Sequence, residues 1–118
     1  MKLQNEARKI LDCPQLNVTC TCVRVPVMRC HSEAIILELT KTMDLEQIKE
    51  ALRKGKGIEL NESSYPTPLD CVEQDHVVVG RVRQDRSDAN TFVLWCCGDQ
   101  LHKGVATNAV QIAELFLK

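Results

Sequence analysis

The sequence predicts an α+β domain, a mixed and largely antiparallel sheet with helices on one face. Strand-like runs come as neighbours, at 16–25 with 34–40 and at 76–83 with 91–97, rather than alternating strictly with helices. Helical apolar spacing opens the chain, separates the two strand pairs and closes the chain. Repeats, low-complexity tracts and a linker-like stretch are not evident, so 118 residues read as one domain or part of one.

The elements follow in order. In "LQNEARKILD" (3–12), Leu3, Ala7, Ile10 and Leu11 recur at helical spacing, and Pro14 stops the helix. "LNVTCTCVRV" (16–25) alternates, with Leu16, Val18, Cys20 and Cys22 on one face and Asn17, Thr19 and Thr21 on the other. "AIILELT" (34–40) is a second strand. Asp44 is an N-cap for a helix over 45–54, Gln47 completes a capping box, and Gly55 and Gly57 end the helix. A short strand comes next. "NESSYPTPLD" (61–70) is a loop whose two prolines exclude a central strand. Strands at 76–83 and 91–97 are split by the polar turn "QDRSDAN", and a last helix covers 104–117.

Net charge is −1 and the isoelectric point is about 6.3, which argues against nucleic acid or an anionic membrane surface as partner. No apolar run approaches the ~20 residues of a membrane span, and "MKLQNEARKI" lacks the apolar stretch of a signal peptide. A cytoplasmic protein is expected. The seven cysteines fit no disulfide framework. Reduced core thiols are the plainer reading. The sharper one is a metal site from Cys20, Cys22, Cys30 and His31, but no second C-x(2–4)-C pair accompanies them, and no metal is expected.

Residues 22–33, "CVRVPVMRCHSE", raise a question of chemistry. Arg24 has the parity of the apolar face of its strand, and His31 has the parity of Ile35, Leu37 and Leu39. Fully extended, the seven steps between them span roughly 23 Å, too far for one small ligand. Pro26 supplies a break that lets the chain fold back between them. A guanidinium there suits a carboxylate or phosphate, and histidine as a residue type exchanges a proton near neutral pH. The alternative is structural: an Arg24–Glu33 or Arg24–Glu38 pair and a satisfied core histidine. Cys30 beside His31 is no dyad, because adjacent strand residues face opposite ways.

The last helix is too apolar for one buried face. On a helical wheel its apolar residues fill an arc of roughly 220°, against a stripe of Thr107, Gln111, Glu114 and Lys118. Asn108 lies inside that arc, so a buried amide with specific partners, either backbone or ligand, is expected. Gly104 and Ala106 leave room for another molecule near the helix start.

Five ordered strings carry a resemblance: "NEARKIL", "VTCTCVRVPVMRCHSEA", "YPTPLD", "VVVGRVRQD" and "GDQLHKGVATNAVQIAEL". Together they resemble the C-terminal third of aspartate-semialdehyde dehydrogenase, over essentially the whole chain. The resemblance implies the later part of a glyceraldehyde-3-phosphate-dehydrogenase-like C-terminal catalytic and dimerisation domain, here residues 1–118, in a homo-oligomer. It implies an oxidoreductase that converts aspartyl phosphate and NADPH to aspartate semialdehyde, NADP and phosphate, on the route to lysine, threonine, methionine and isoleucine. Arg24 would grip the substrate carboxylate and His31 would be the acid/base. Lys2, matching the lysine of an E-x-x-K stretch ahead of the first helix, would contact substrate or phosphate. Asn108 and Gly104, in "K-G-x-A-x-N", would lie at the nicotinamide. The last helix would pack against a nucleotide-binding domain.

The departures are equally informative. Members of that family are considerably longer. This chain has no glycine-rich strand–turn–helix fingerprint for a pyrophosphate and no Asn-Cys-x-Thr string for a nucleophilic thiol. Cys22 matches a strand cysteine and Cys30 a position where glycine is common. The glutamate of E-x-x-K would precede Met1. The expectation is a fragment that is inactive alone. Its rivals are a non-catalytic dimerisation or interaction module of the same family and a small metal- or redox-sensing protein using the cysteines.

Overall fold

The computed structural model describes residues 2–117. Its elements run α1 (Lys2–Ile10), β1 (His31–Glu38), α2 (Leu45–Lys54), β2 (Ile58–Asn61), β3 (Val77–Gln84), β4 (Thr91–Gly98), a π-helical turn (His102–Ala106) and α3 (Thr107–Glu114). The four strands form one sheet in the order β1-β4-β3-β2. β1 pairs antiparallel with β4 from His31 opposite Gly98 to Glu38 opposite Thr91. β4 pairs antiparallel with β3, and β2 with β3 in parallel. The sheet is mixed and mainly antiparallel, as the paired runs predict.

α2 forms where the sequence places it. The Asp44 carboxylate accepts from the Gln47 N–H at 2.8 Å, and the Gln47 amide oxygen accepts from the Asp44 N–H at 2.9 Å. Both otherwise orphaned donors of the first turn are satisfied. Asp44→Ala is expected to destabilise the chain by about 1 kcal/mol, the ordinary cost of a lost N-cap; the shift of a urea unfolding midpoint checks it. Gly57 stands at φ +73°, where glycine is free of Cβ strain.

α2 packs on β2 and β3, burying Ile48. The central strands are covered on both faces. Val79, Phe92 and Leu94 are buried with one parity, and Val78 and Cys97 with the other. The latter join Cys30 and Cys71 in a cluster flanked by Val72 and Trp95. The 61–70 loop closes over this side. Its Pro66 carbonyl accepts from the Trp95 indole at 2.9 Å, and a Cβ on Gly80 would lie 2.6 Å from Pro66 Cδ. Glycine at 80 is what lets the loop lie down.

Two expectations fail. Residues 16–25 form no strand: among the described residues they join no ladder, and most of them, including Cys20, Cys22 and Arg24, are exposed. Alternation makes a segment able to pair, but a strand exists only where another backbone satisfies its N–H and C=O groups. Here only the start of the segment is tied down, by Arg8 Nε donating to the Leu16 carbonyl at 2.7 Å. The last helix is the second case. α-Helix covers only Thr107–Glu114, after the π-helical turn. Asn108 is exposed rather than buried, because α3 packs chiefly on that turn and its apolar side is left open among the described residues. Val110, Ile112, Leu115, Phe116 and Leu117 are all exposed. Lys118, assigned to the polar stripe, lies outside the described residues.

Candidate functional site

The approach to β1 sets the geometry around His31. The chain turns at Pro26, where the Val27 N–H reaches back to the Val25 carbonyl at 2.9 Å, an i→i+2 turn that needs no donor from proline. Further bends at Met28 and Arg29 follow, so the break predicted between Arg24 and His31 is present. Cys30 then takes φ +77°, a left-handed backbone costly for any residue with a Cβ. His31 is the first residue of β1 and its side chain is exposed, while the Cys30 side chain is buried. The two neighbours differ in burial, so they form no dyad.

The end of β4 holds this approach. Gly98 lies opposite His31. The Asp99 carboxylate lies 2.8 Å from Arg29 Nε. The Gln100 side-chain oxygen accepts from the Cys30 N–H at 2.7 Å. Asp99 is only 1 % exposed, a burial tolerable for a carboxylate because its oxygens are fully used. It also accepts from the N–H groups of Glu73 at 2.8 Å, Leu101 at 2.8 Å and His102 at 3.4 Å. Burial by itself would raise this carboxyl, but the three backbone donors and Arg29 together hold it down at about 2.

Asp99 thereby starts the helical segment that carries the other predicted residues. Its side chain caps Leu101 and His102, and its carbonyl accepts from Gly104 N–H at 3.1 Å, five residues on, which makes the turn π rather than α. Asp75 pins the junction with α3 from the far side, accepting from Thr107 and lying 3.0 Å from His102 Nδ1. Asn108, the next residue, is left exposed with no side-chain hydrogen bond among the described residues. A Cβ on Gly104 would meet the Gln100 Cβ at 3.5 Å, an ordinary contact, so the packing of this chain does not itself demand glycine there.

Lys2 sits within the first turn of α1 rather than ahead of it, 3.8 Å from Glu6 and largely exposed. Arg24 is exposed and, among the described residues, is paired with neither Glu33 nor Glu38. Among the same residues, no hydrogen bond or ion pair joins any two of Lys2, Arg24, His31, Gly104 and Asn108. Arg24, His31 and Asn108 are exposed with no side-chain partner among the described residues, whereas Lys2 faces Glu6; exposed groups of these types suit an external carboxylate, phosphate or amide. The thiols divide by environment. Cys13, Cys20 and Cys22 are exposed and Cys30, Cys71 and Cys97 buried, so the core-thiol reading holds for the latter three. Burial pushes Cys71 up to about 12 and raises Cys30, leaving protonated, unreactive thiols. Cys20 and Cys22 therefore share no environment with Cys30, contrary to a joint metal site.

Residues 1–103 match the dimerisation domain of semialdehyde dehydrogenases. The chain belongs to that family. It is 47% identical over 99% of its length to an aspartate-semialdehyde dehydrogenase of Prochlorococcus marinus, and 48% identical over its whole length to one of Synechocystis. It covers 35% and 36% of those relatives, so it spans about a third of the curated relatives it matches. Among solved structures, aspartate semialdehyde dehydrogenase II from Vibrio cholerae complexed with ASA superposes with a TM-score of 0.94 at 45% identity, over 99% of this chain and 35% of that one. The Francisella tularensis enzyme has a TM-score of 0.79 at 25% identity over 96% of this chain.

Sequence reasoning singled out His31 and Asn108 but missed Asp99, Arg29 and Gln100, which hold the backbone around both. The signal was available in "GDQL": an acidic residue between an apolar strand and a helix start is placed to cap N–H groups.

Proposed function

We propose that this chain is the substrate-binding and acid/base portion of an NADP-dependent aspartate-semialdehyde dehydrogenase, inactive by itself. What carries the reading is the likeness to enzymes of that name over the whole of this chain and about a third of theirs, with His31 and Arg24 in the strings that carry the resemblance. The rest of such an enzyme would supply the thiol nucleophile and the dinucleotide fold. When bound, NADP supplies hydride transfer. Arg24 binds the carboxylate of aspartate semialdehyde or aspartyl phosphate as a two-pronged donor. Lys2 neutralises the phosphate. His31 carries a proton to and from the reacting oxygen, which lowers the barrier only if the imidazole is fixed relative to the substrate. Asn108 offers its unpartnered amide to the nicotinamide carboxamide, and Gly104 admits the ring closely. A fit with the cofactor is supported by those two positions alone; the sequence shows no glycine-rich strand–turn–helix string for a pyrophosphate.

The match to a dimerisation domain supports a homo-oligomeric assembly, and the exposed apolar side of α3 supports a nucleotide-binding part that covers the helix. Seven free thiols suit a reducing cytoplasmic compartment. The lysine, threonine, methionine and isoleucine routes would be its setting.

The test is a fusion of the first two-thirds of the Vibrio cholerae enzyme to residues 1–118. The fusion is expected to reduce NADP with aspartate semialdehyde and phosphate, and the 118-residue chain to give no turnover. A folded, soluble fusion with no activity, or an active chain alone, contradicts the proposal.

A further inference from the structure

We infer that Asp99 and Gln100 are positioning residues for His31, fixing the imidazole through the Arg29 side chain and the Cys30 backbone; this rests on the acid/base role proposed for His31. The last residue of β4 and the two that follow it hold the first residue of β1 and the two that precede it. Gly98 pairs with His31, the Asp99 carboxylate lies 2.8 Å from Arg29 Nε, and the Gln100 side chain takes the Cys30 N–H at 2.7 Å. Asp99 is buried, and the half-buried Gln100 spends its side-chain oxygen on the Cys30 N–H, so both are placed to act through other residues.

The strained residues locate the device. Cys30 at φ +77° and Glu73 at φ +62° are two of the four non-glycine residues with positive φ among the described residues. Their N–H groups are the ones donated to Gln100 and Asp99. A left-handed non-glycine residue persists only where its surroundings overdetermine it. At Cys30 two constraints do so: the thiol is buried against Cys71, Val78 and Cys97, and the amide is tied to Gln100. That backbone twist sets the direction in which His31 enters β1. If Gln100 lets go, Cys30 can relax towards negative φ, and the imidazole swings while its own chemistry is unchanged. Asp99 extends the device. Its carboxylate also caps Leu101 and His102, so the His31 side of the site and the segment bearing Gly104 and Asn108 hang from one buried group.

The proposal differs in consequence from a purely structural role. Misplacing a proton-transfer group costs the transition state and spares ground-state binding through Arg24. In the fusion described above, Gln100→Leu is expected to lower kcat by about 10- to 100-fold with KM for aspartate semialdehyde nearly unchanged, the scale of an ångström-sized misplacement. Gln100→Glu, which keeps an oxygen acceptor for the Cys30 amide, should recover most of kcat. In the 118-residue chain, amide hydrogen exchange at Cys30 should speed up in Gln100→Leu and not in Gln100→Glu. Asp99→Asn should lower kcat as well, and Gln100 keeps the test decisive should that variant unfold. If Gln100→Leu retains full kcat while His31→Ala abolishes turnover, the positioning role is wrong and the acid/base reading stands. If Gln100→Leu changes only thermal stability, or Gln100→Glu fails to rescue, the role is structural and the inference is overturned. If His31→Ala itself is silent, both fall.

Discussion

His31→Ala, placed in the fusion that joins this chain to the first two-thirds of the Vibrio cholerae enzyme, is expected to lower kcat by about 10²- to 10⁴-fold, the usual worth of a positioned proton-transfer group. KM for aspartate semialdehyde should change little, because the imidazole acts on the developing charge of the transition state and not on the substrate carboxylate. His31 has the freedom the role requires: it is exposed at the first position of β1, and among the described residues no partner consumes either ring nitrogen. The backbone before it is held by contacts with Asp99 and Gln100, so the freedom belongs to the side chain's chemistry and not to its place. Steady-state kinetics check the split. Near-normal kcat would remove His31 from the proposed mechanism.

Arg24→Leu should do the reverse. A bidentate guanidinium–carboxylate contact is made in the ground state and kept in the transition state, so its loss raises KM with kcat largely retained. The rise is expected to be about 10²-fold, the low end of what a desolvated charge pair costs when one partner is removed. Lysine at this position should recover little of it, since an ammonium cannot reproduce the planar fork. Equal KM values for wild type and Arg24→Leu would discard the carboxylate assignment. Arg24 is exposed in this chain, so the desolvation that gives the contact its strength would come from substrate and from the rest of the enzyme.

Local rules were legible in the sequence where local forces decide. The capping box at Asp44 and Gln47 places α2 to the residue, because both hydrogen bonds close within three residues. The apolar runs of β3 and β4 are legible because central strands are buried on both faces. The segment 16–25 alternates just as cleanly, yet pairing depends on a neighbouring backbone that a local pattern cannot reveal. The wide apolar arc of the last helix was read correctly as surplus. Its consequence for Asn108 was not, since among the described residues nothing packs over that face. The π-helical turn escaped because its cause is Asp99, whose side chain caps two N–H groups while its carbonyl waits for Gly104. Of the proposed site, the residues that would meet ligand stood out by type and spacing. The ones that hold them did not, because Asp99, Arg29 and Gln100 act across 70 residues of chain.

A crystal structure of the active fusion with aspartate semialdehyde bound is the most direct test of the central claim. The account predicts the substrate carboxylate on the Arg24 guanidinium in a two-pronged contact, and the His31 imidazole within about 3 Å of the reacting oxygen, ordinary hydrogen-bond reach. A substrate held by other residues, with Arg24 and His31 on separate surfaces, would contradict it.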